Sequence, residues 1–335
     1  MKELICLGIE GTAHTFGASI VTSKGEILSD VRDMYTTEKG GIIPQDAAKH
    51  HRDISNSVIE KALKESNKKI EDIDLISFSR APGLAPCLLA TKDVAINLAK
   101  EHKKDLIGIN HAIAHLTSGL LFTEAKDPIY IYVSGANTQI LALIDKRFRI
   151  LGETLDIGLG NALDKFGRMM ELGFPAGPKI EELAKGGKYV ELPYTVKGMD
   201  LAFSGIITSA FNKFKTHELR EDDRIAKIED ICFSIQETLF SMLTEVVERA
   251  LAFTEKKEAL LIGGVAANKR LVQMLNVMCK ERGAKFYNVP LKYSGDQSVM
   301  IAWQGILEYN SGKKDNLNID IDDSQRTDQV EVIWN

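Results

Sequence analysis

The stretch Asn110-His111-Ala112-Ile113-Ala114-His115 carries two imidazoles four residues apart. On a helix this spacing places both rings on one face, about one turn apart, where they can share a cation. Asn110 is a good N-cap, so the spacing predicts a helix that begins at His111. Two buried histidines bonded to other groups would read the same way. The pair follows the apolar run 105–109, however, and α/β folds place their sites at the C-terminal ends of buried strands. A metal ion is therefore expected here. The zincin pattern HExxH has a glutamate where this chain has Ala112, so peptide hydrolysis would lack its base.

Three turns of small residues could approach phosphates or a planar base. Glu10-Gly11-Thr12 lies between the apolar runs 4–9 and 16–21, and Ser134-Gly135-Ala136 lies between 129–133 and 139–144. Backbone N–H groups in such turns can reach phosphate oxygens because no large side chain intervenes. The third turn, Gly263-Gly264-Val265-Ala266-Ala267-Asn268, follows a buried strand at 260–262 and opens a helix, whose N-terminus favours an anion. Any one of these turns could be no more than a tight connection; their repetition in order favours a nucleotide clamp.

Elements must position these groups. The strand, small turn, strand unit occurs twice, about half a chain apart, which implies two related lobes facing each other. Helical periodicity marks 46–66, 93–102, 228–253, 268–282 and 299–309. The Gly- and Pro-rich stretch at about 156–224 reads as an insertion that carries function. The expected architecture is α/β: a two-lobed actin-like ATPase fold with duplicated lobes and the metal and nucleotide in the cleft. The expected division is 1–128, 129–310 with the insertion, and a largely extended tail at 311–335.

Composition narrows the function classes. With 335 residues, 44% apolar and 27% charged, the chain suits a soluble two-domain protein. It has no apolar run long enough to span a membrane, and nothing at its start reads as a signal peptide. Cys6, Cys87, Cys232 and Cys279 form no CxxC pair and read as buried thiols of a reducing cytoplasm. The net charge of -5 is unlike that of a lone nucleic-acid binder. The basic clusters 49–52 and 100–104 are the exceptions, and each also fits a solvated helix face. His50 and His51 read as surface or boundary residues, while His14 could touch a ligand.

Taken together, the motifs resemble one family closely. They are Gly8-Ile9-Glu10-Gly11-Thr12-Ala13-His14-Thr15-Phe16-Gly17, the NHxxxH run at 110–115, Tyr132-Val133-Ser134-Gly135-Ala136-Asn137-Thr138-Gln139, the segment 152–165, Gly177-Pro178-Lys179-Ile180-Glu181, 197–205, 263–268 and Gly295-Asp296. The chain resembles the TsaD-like tRNA threonylcarbamoyltransferases over essentially its whole length, in the archaeal and eukaryotic branch that works inside the KEOPS complex. The resemblance implies a metal, iron or zinc, held by His111, His115, Tyr132 and Asp296. It implies an adenine nucleotide (threonylcarbamoyl-AMP, ATP or AMP) held by Tyr132, Val133, Ser134, Gly135, Ala136, Asp164, Gly177, Glu181 and Asn268. Gly263 and Gly264 supply room for the base or ribose, and Glu10, Gly11 and Thr12 form a possible phosphate side. The chain departs from the family pattern at 41–45, at 79–89, and at Gln297-Ser298, where Asn-Gly or Asn-Ala is usual.

The implied reaction is carbamoyl transfer from threonylcarbamoyl-AMP to the exocyclic amine of a tRNA adenosine, with loss of AMP, next to the anticodon. The implied partners are tRNA and KEOPS subunits including a small protein kinase, with no membrane. No residue stands out as a general base. A small-molecule kinase of the same fold would need a catalytic aspartate beside the γ-phosphate and leaves the histidine pair without a role. A non-catalytic ATP-binding subunit is the other alternative.

Overall fold

The computed structural model describes residues 3–36, 42–218 and 227–334. Gly41 of the first departing stretch, and the end of the inserted stretch at 219–224, lie outside the described residues. The chain divides into two compact units. Unit 1 comprises Met1–Leu121, Ile144–Phe148 and Asp296–Asn335, and unit 2 comprises Phe122–Leu143 and Arg149–Gly295. Among the described residues, no helix is long and apolar enough to cross a membrane.

Unit 1 is built on an apolar first strand, β1 (Ile5–Glu10), buried at every position but its first. It forms a hairpin with β2 (Thr15–Thr22), which continues into β3 (Ile27–Met34). Helix α1 (Pro44–Glu65) leads to β4 (Leu75–Ala81), α2 (Ala85–His102), β5 (Asp105–Asn110) and α3 (His111–Leu121). The sheet order is β3-β2-β1-β4-β5, with β1 antiparallel to β2 and parallel to β4, and β4 parallel to β5. Strand alternation sends Leu7, Ile9, Phe16, Ala18 and Ile20 into one core with Val58 and Ile59 of α1 and Ala95 and Ala99 of α2. Each such buried aliphatic or aromatic side chain contributes roughly 1.5–3 kcal/mol.

The other face of that sheet carries glycine for a steric reason. A Cβ on Gly8 would lie 2.5 Å from Ala302 N and Ser298 O. A Cβ on Gly305 would lie 2.5 Å from Ser77 Cβ. These residues let the last helix, counted below as α9 (Ser298–Asn310), press its backbone onto β1 and β4. Ser77 Oγ also donates to Ile301 O at 3.0 Å. This packing is why α9 clusters with unit 1, whereas the linear division placed it with the second lobe. The tail follows: Asp315 N and Leu106 O bond at 3.0 Å, and Asp322 N donates to Arg80 O at 3.1 Å.

Unit 2 repeats the plan. Its strands are β6 (Ile129–Val133), β7 (Thr138–Ile144), β8 (Arg147–Glu153), β11 (Glu258–Ile262) and β12 (Lys285–Asn288), in the order β12-β11-β6-β7-β8. Strand β6 is antiparallel to β7 and parallel to β11, which is parallel to β12. Strand for strand, this is the order of unit 1. Between β8 and β11 come α4 (Leu159–Met169), α5 (Gly177–Ala184), the two-residue strands β9 (Val196–Lys197) and β10 (Asp200–Leu201), α6 (Ser204–Glu218) and α7 (Ile228–Thr254). Helix α8 (Lys269–Glu281) joins β11 to β12.

The periodic helices and the repeat follow the sequence reading closely. Helix α2 differs, since it begins at Ala85 and not near residue 93. Pro86 lies in this first turn, where its missing N–H would have had no helical partner. The inserted stretch is also more helical than its Gly and Pro content suggests. Asp156 explains part of this, because its carboxylate accepts from Phe203 N and Ser204 N at the start of α6, at 3.0 and 2.8 Å.

Candidate metal and nucleotide sites

In unit 1, β5 delivers Asn110 directly to the first turn of α3. Asn110 Oδ1 accepts from Ile113 N at 3.1 Å, which is the capping bond expected of this residue. The two histidine rings then stand edge to face, with centroids 4.7 Å apart. Asp296, in the loop before α9, brings Oδ1 to 3.3 Å from His115 Nε2 and 3.4 Å from His111 Nε2. One ligand atom from each of the three lies within 4.8 Å of the others. Both histidines are buried. Two imidazole nitrogens and one carboxylate oxygen on a rigid helix–strand frame suit a transition-metal ion.

A fourth group completes this cluster. Glu10, at the end of β1, is fully buried and sets Oε2 2.9 Å from His111 Nδ1. Its Oε1 accepts from Thr12 N at 2.8 Å and from Thr12 Oγ1 at 2.6 Å. Burial works to lower the His111 pKa, yet the carboxylates of Glu10 and Asp296 hold it up, to about 10. Burial also lowers His115, and its positive neighbour His111 adds to this. Asp296 moves the other way. Burial would raise its carboxyl, but the adjacent histidines keep it well below the ordinary carboxylate range. His111 thus stands between two carboxylates, Glu10 at Nδ1 and Asp296 at Nε2.

In the turn that carries Glu10, the N–H groups of Gly11 and Thr12 are both taken. Gly11 N donates to Ser79 Oγ at 3.0 Å, and Thr12 N is taken by Glu10 itself. Gly11 O accepts from Thr91 Oγ1 at 3.0 Å, and Thr12 O accepts from Leu84 N at 2.8 Å. His51 Nε2 donates to Ala13 O at 3.0 Å. His51 is therefore no surface residue: it is fully buried, and burial first, then the neighbouring His50, pushes its pKa down to about 4. The phosphate side expected of Glu10, Gly11 and Thr12 needs free N–H groups, and here those of Gly11 and Thr12 are spent inside unit 1.

Unit 2 has the corresponding turn after β6, and it differs in its N–H groups. Two of its carbonyls are taken by the start of α4: Gly160 N donates to Ser134 O at 3.2 Å and Asn161 N to Gly135 O at 2.9 Å. Leu159 N donates to Thr138 Oγ1 at 2.8 Å. Gly158 and Gly160 allow this approach, since a Cβ on Gly158 would lie 2.4 Å from Ala136 O and one on Gly160 2.8 Å from Ser134 O. Gly135 and Ala136 are exposed, and their N–H groups make no hydrogen bond within the described residues. Such a turn can receive an anion.

The glycine loop after β11 leaves the sheet beside this turn, because Ile262 is paired in register with Tyr132. Gly263 has φ +102°, and a Cβ there would lie 2.3 Å from Val133 O. It serves the close approach of two backbones. Gly264 is different, with nothing within 4 Å of a built Cβ, so the space above it is open. Gly177 is open in the same way.

The remaining expected nucleotide residues are in unit 2 and partly engaged. Asn268 caps α8, with Oδ1 accepting from Arg270 N and Leu271 N at 3.0 and 3.1 Å, while its Nδ2 donates to Gln236 Oε1 at 3.2 Å. Glu181 Oε1 accepts from Lys269 N at 2.9 Å. Asp164 Oδ1 accepts from Ala176 N at 2.8 Å, and burial raises its pKa. Tyr132 is buried on β6 between Gln139 of β7 and Ile262 of β11.

The departure after Asp296 is structural. Gln297 caps α9, accepting from Met300 N at 2.9 Å, and Ser298 Oγ lies 2.5 Å from Ser19 Oγ. All four cysteines are buried, and burial raises their thiols.

Residues 26–303 match a family model described as TsaD, tRNA N6-adenosine threonylcarbamoyltransferase. A tRNA N6-adenosine threonylcarbamoyltransferase of Thermococcus kodakarensis is 50% identical over 333 residues, covering 99% of this chain and 100% of the relative. A probable bifunctional tRNA threonylcarbamoyladenosine biosynthesis protein of Methanocaldococcus jannaschii is also 50% identical, and the match spans 60% of its length. Among solved structures, HypF of T. kodakarensis shares the fold with a TM-score of 0.61 at 16% identity, over 92% of this chain and 48% of that one.

Proposed function

The chain belongs to the TsaD family of tRNA N6-adenosine threonylcarbamoyltransferases, and from that premise we propose the reaction its two units serve. The adenosine N6 amine of a tRNA attacks the carbamoyl carbon of threonylcarbamoyl-AMP. The bond from that carbon to the phosphate oxygen breaks, AMP leaves with the electron pair, and the amine loses a proton. The match over nearly the whole chain at 50% identity carries this reading.

The open N–H groups of Gly135 and Ala136 would hold the adenylate phosphate and stabilise the charge that grows on it as AMP leaves. The space over Gly264 would take the base or ribose. Asp164, Gly177, Glu181 and Asn268 would frame the nucleotide from α4, α5 and the start of α8. His111, His115 and Asp296 would hold one divalent ion, iron or zinc, with Tyr132 as the further ligand that the family resemblance supplies. A metal bound there would act as a Lewis acid that orients or polarises the substrate. The converging N, N, O donor set supports this assignment.

The net charge of -5 supports a need for partners, because each phosphate contact on RNA requires a cation. We place the chain in a KEOPS-type assembly in the cytoplasm, with a small protein kinase among its subunits. The bifunctional relatives carry further chain beyond the match.

The test is a nucleoside assay. Protein, synthetic threonylcarbamoyl-AMP and a tRNA transcript are mixed with and without candidate partners, and digested tRNA is analysed by mass spectrometry. Threonylcarbamoyladenosine formed in step with AMP release is expected. ATP hydrolysis coupled to phosphorylation of a small molecule, with unmodified tRNA under every partner combination, would favour the kinase alternative.

A further inference from the structure

The turn after β1 and the turn after β6 occupy the same place in two copies of one topology, yet they expose different groups. In unit 2 the carbonyls of Ser134 and Gly135 are spent and the N–H groups of Gly135 and Ala136 are open among the described residues. In unit 1 the N–H groups are spent and the product of the arrangement is a fixed carboxylate, that of Glu10. An adenylate has one phosphate, so a single open turn suffices for it. The unit 1 turn is then available for another task, and its contacts say which.

We propose that Glu10 is a positioning residue for the metal site: it holds the His111 ring and its tautomer so that Nε2 faces His115 and Asp296. This inference rests on the metal assignment above and goes beyond it. One oxygen of Glu10 is pinned by the N–H and hydroxyl of Thr12, at 2.8 and 2.6 Å. The other is thereby aimed at His111 Nδ1, 2.9 Å away. A carboxylate accepts, so Nδ1 keeps the hydrogen and Nε2 keeps the lone pair that a metal needs. Carboxylate partners of this kind orient a ligand imidazole and raise its basicity. The rest of the turn is clamped in turn by Ser79, Leu84, Thr91 and His51, which fixes Glu10 to both the sheet and its helices. A Cβ on Gly11 would lie 2.1 Å from Thr91 Oγ1, so the clamp leaves no slack.

Glu10→Gln separates positioning from bulk. The Thr12 donors would hold the amide oxygen, turning the amide NH2 toward His111 Nδ1. That favours the tautomer with hydrogen on Nε2, where the metal should bind. The probe is Co2+, titrated into metal-free protein against a chromophoric chelator, with its visible absorption recorded. Adenine-nucleotide binding and the thermal melt report whether the variant is folded. Glu10→Gln is expected to lose roughly tenfold to a hundredfold in Co2+ affinity, to shift the Co2+ absorption bands, and to keep nucleotide binding. Thr12→Val, which removes one of the two anchors, is expected to show a smaller loss in the same direction. Wild-type affinity and spectrum in Glu10→Gln, or in Thr12→Val if Glu10→Gln does not fold, overturns the proposal. If wild-type protein binds no Co2+, the metal assignment and this proposal fall together. Equal binding in variant and wild type sinks this proposal alone.

Discussion

The two turns that follow the first strands of the two sheets differ in a way their sequences do not announce. Glu10-Gly11-Thr12 and Ser134-Gly135-Ala136 are both short, small and polar. The first is packed under α1 and α2, whose His51 and Thr91 reach in to bond its carbonyls. The second is packed on the N-terminus of α4, whose own N–H groups seek carbonyls. At the first turn Ser79 and Glu10 take the N–H groups of Gly11 and Thr12, while Thr91, Leu84 and His51 take carbonyls. At the second the α4 N-terminus takes only carbonyls, those of Ser134 and Gly135, and leaves the N–H groups of Gly135 and Ala136 open among the described residues. The neighbouring element therefore decides whether a turn can receive an anion.

The largest test of this contrast removes a proposed ligand. His111→Ala is expected to abolish most metal binding, by about a hundredfold or more in affinity, because the proposed site loses one donor and its Glu10 partner together. Elemental analysis of protein loaded with one equivalent and desalted checks it. Metal retained at the wild-type ratio would sink the assignment of the histidine pair.

Gly264→Val comes next and acts on unit 2 alone. Its built Cβ meets nothing, so the fold should tolerate it with a change in melting temperature near zero. Adenine-nucleotide affinity measured by calorimetry should fall by about a hundredfold, since the side chain would occupy the open space. A variant that binds AMP as tightly as wild type would move the base elsewhere.

Gly158→Ala sharpens the comparison more gently. The added methyl would press on Ala136 O at 2.4 Å, while the backbone at φ -63° suits alanine. Overpacking of this kind costs about 1–3 kcal/mol. Nucleotide affinity should drop with the displaced turn, and by more than Co2+ affinity, because His111, His115 and Asp296 lie in unit 1. Equal losses of both would show that the two turns are not independent.

The smallest effect is a pH dependence in unit 1. His51 has a folded-state pKa of about 4 against an ordinary 6.5. A depressed pKa means that the unfolded chain takes up the proton first. The contribution is fully present above pH 6.5 and is lost as the pH falls toward 4, by roughly 1.4 kcal/mol per pH unit at most. Urea midpoints at pH 7 and pH 5 should differ more for wild type than for His51→Gln. Parallel shifts in the two proteins would contradict the buried, neutral state of His51.

Local chemistry determined much of this protein in the sequence alone. The strand–turn–strand repeat at 4–21 and 129–144, the capped HxxxH at 110–115, and the strand–glycine–helix passage at 260–268 are each set by residues within a few positions of one another. Period, cap preference and glycine's freedom act over that range, so the duplicated α/β plan was legible. Asp296 was chosen only through the family resemblance, because 181 residues separate it from His115. The partnership of Glu10 with His111 spans 101 residues and had no signal at all. The start of α2 was hidden by Pro86, and the burial of His51 by its charged neighbours Lys49 and Arg52. Above all, the direction of the hydrogen bonds at the two small turns came from tertiary packing. A backbone N–H and its carbonyl are present at every residue of both turns, and only the element packed against each turn determines which of them is left open.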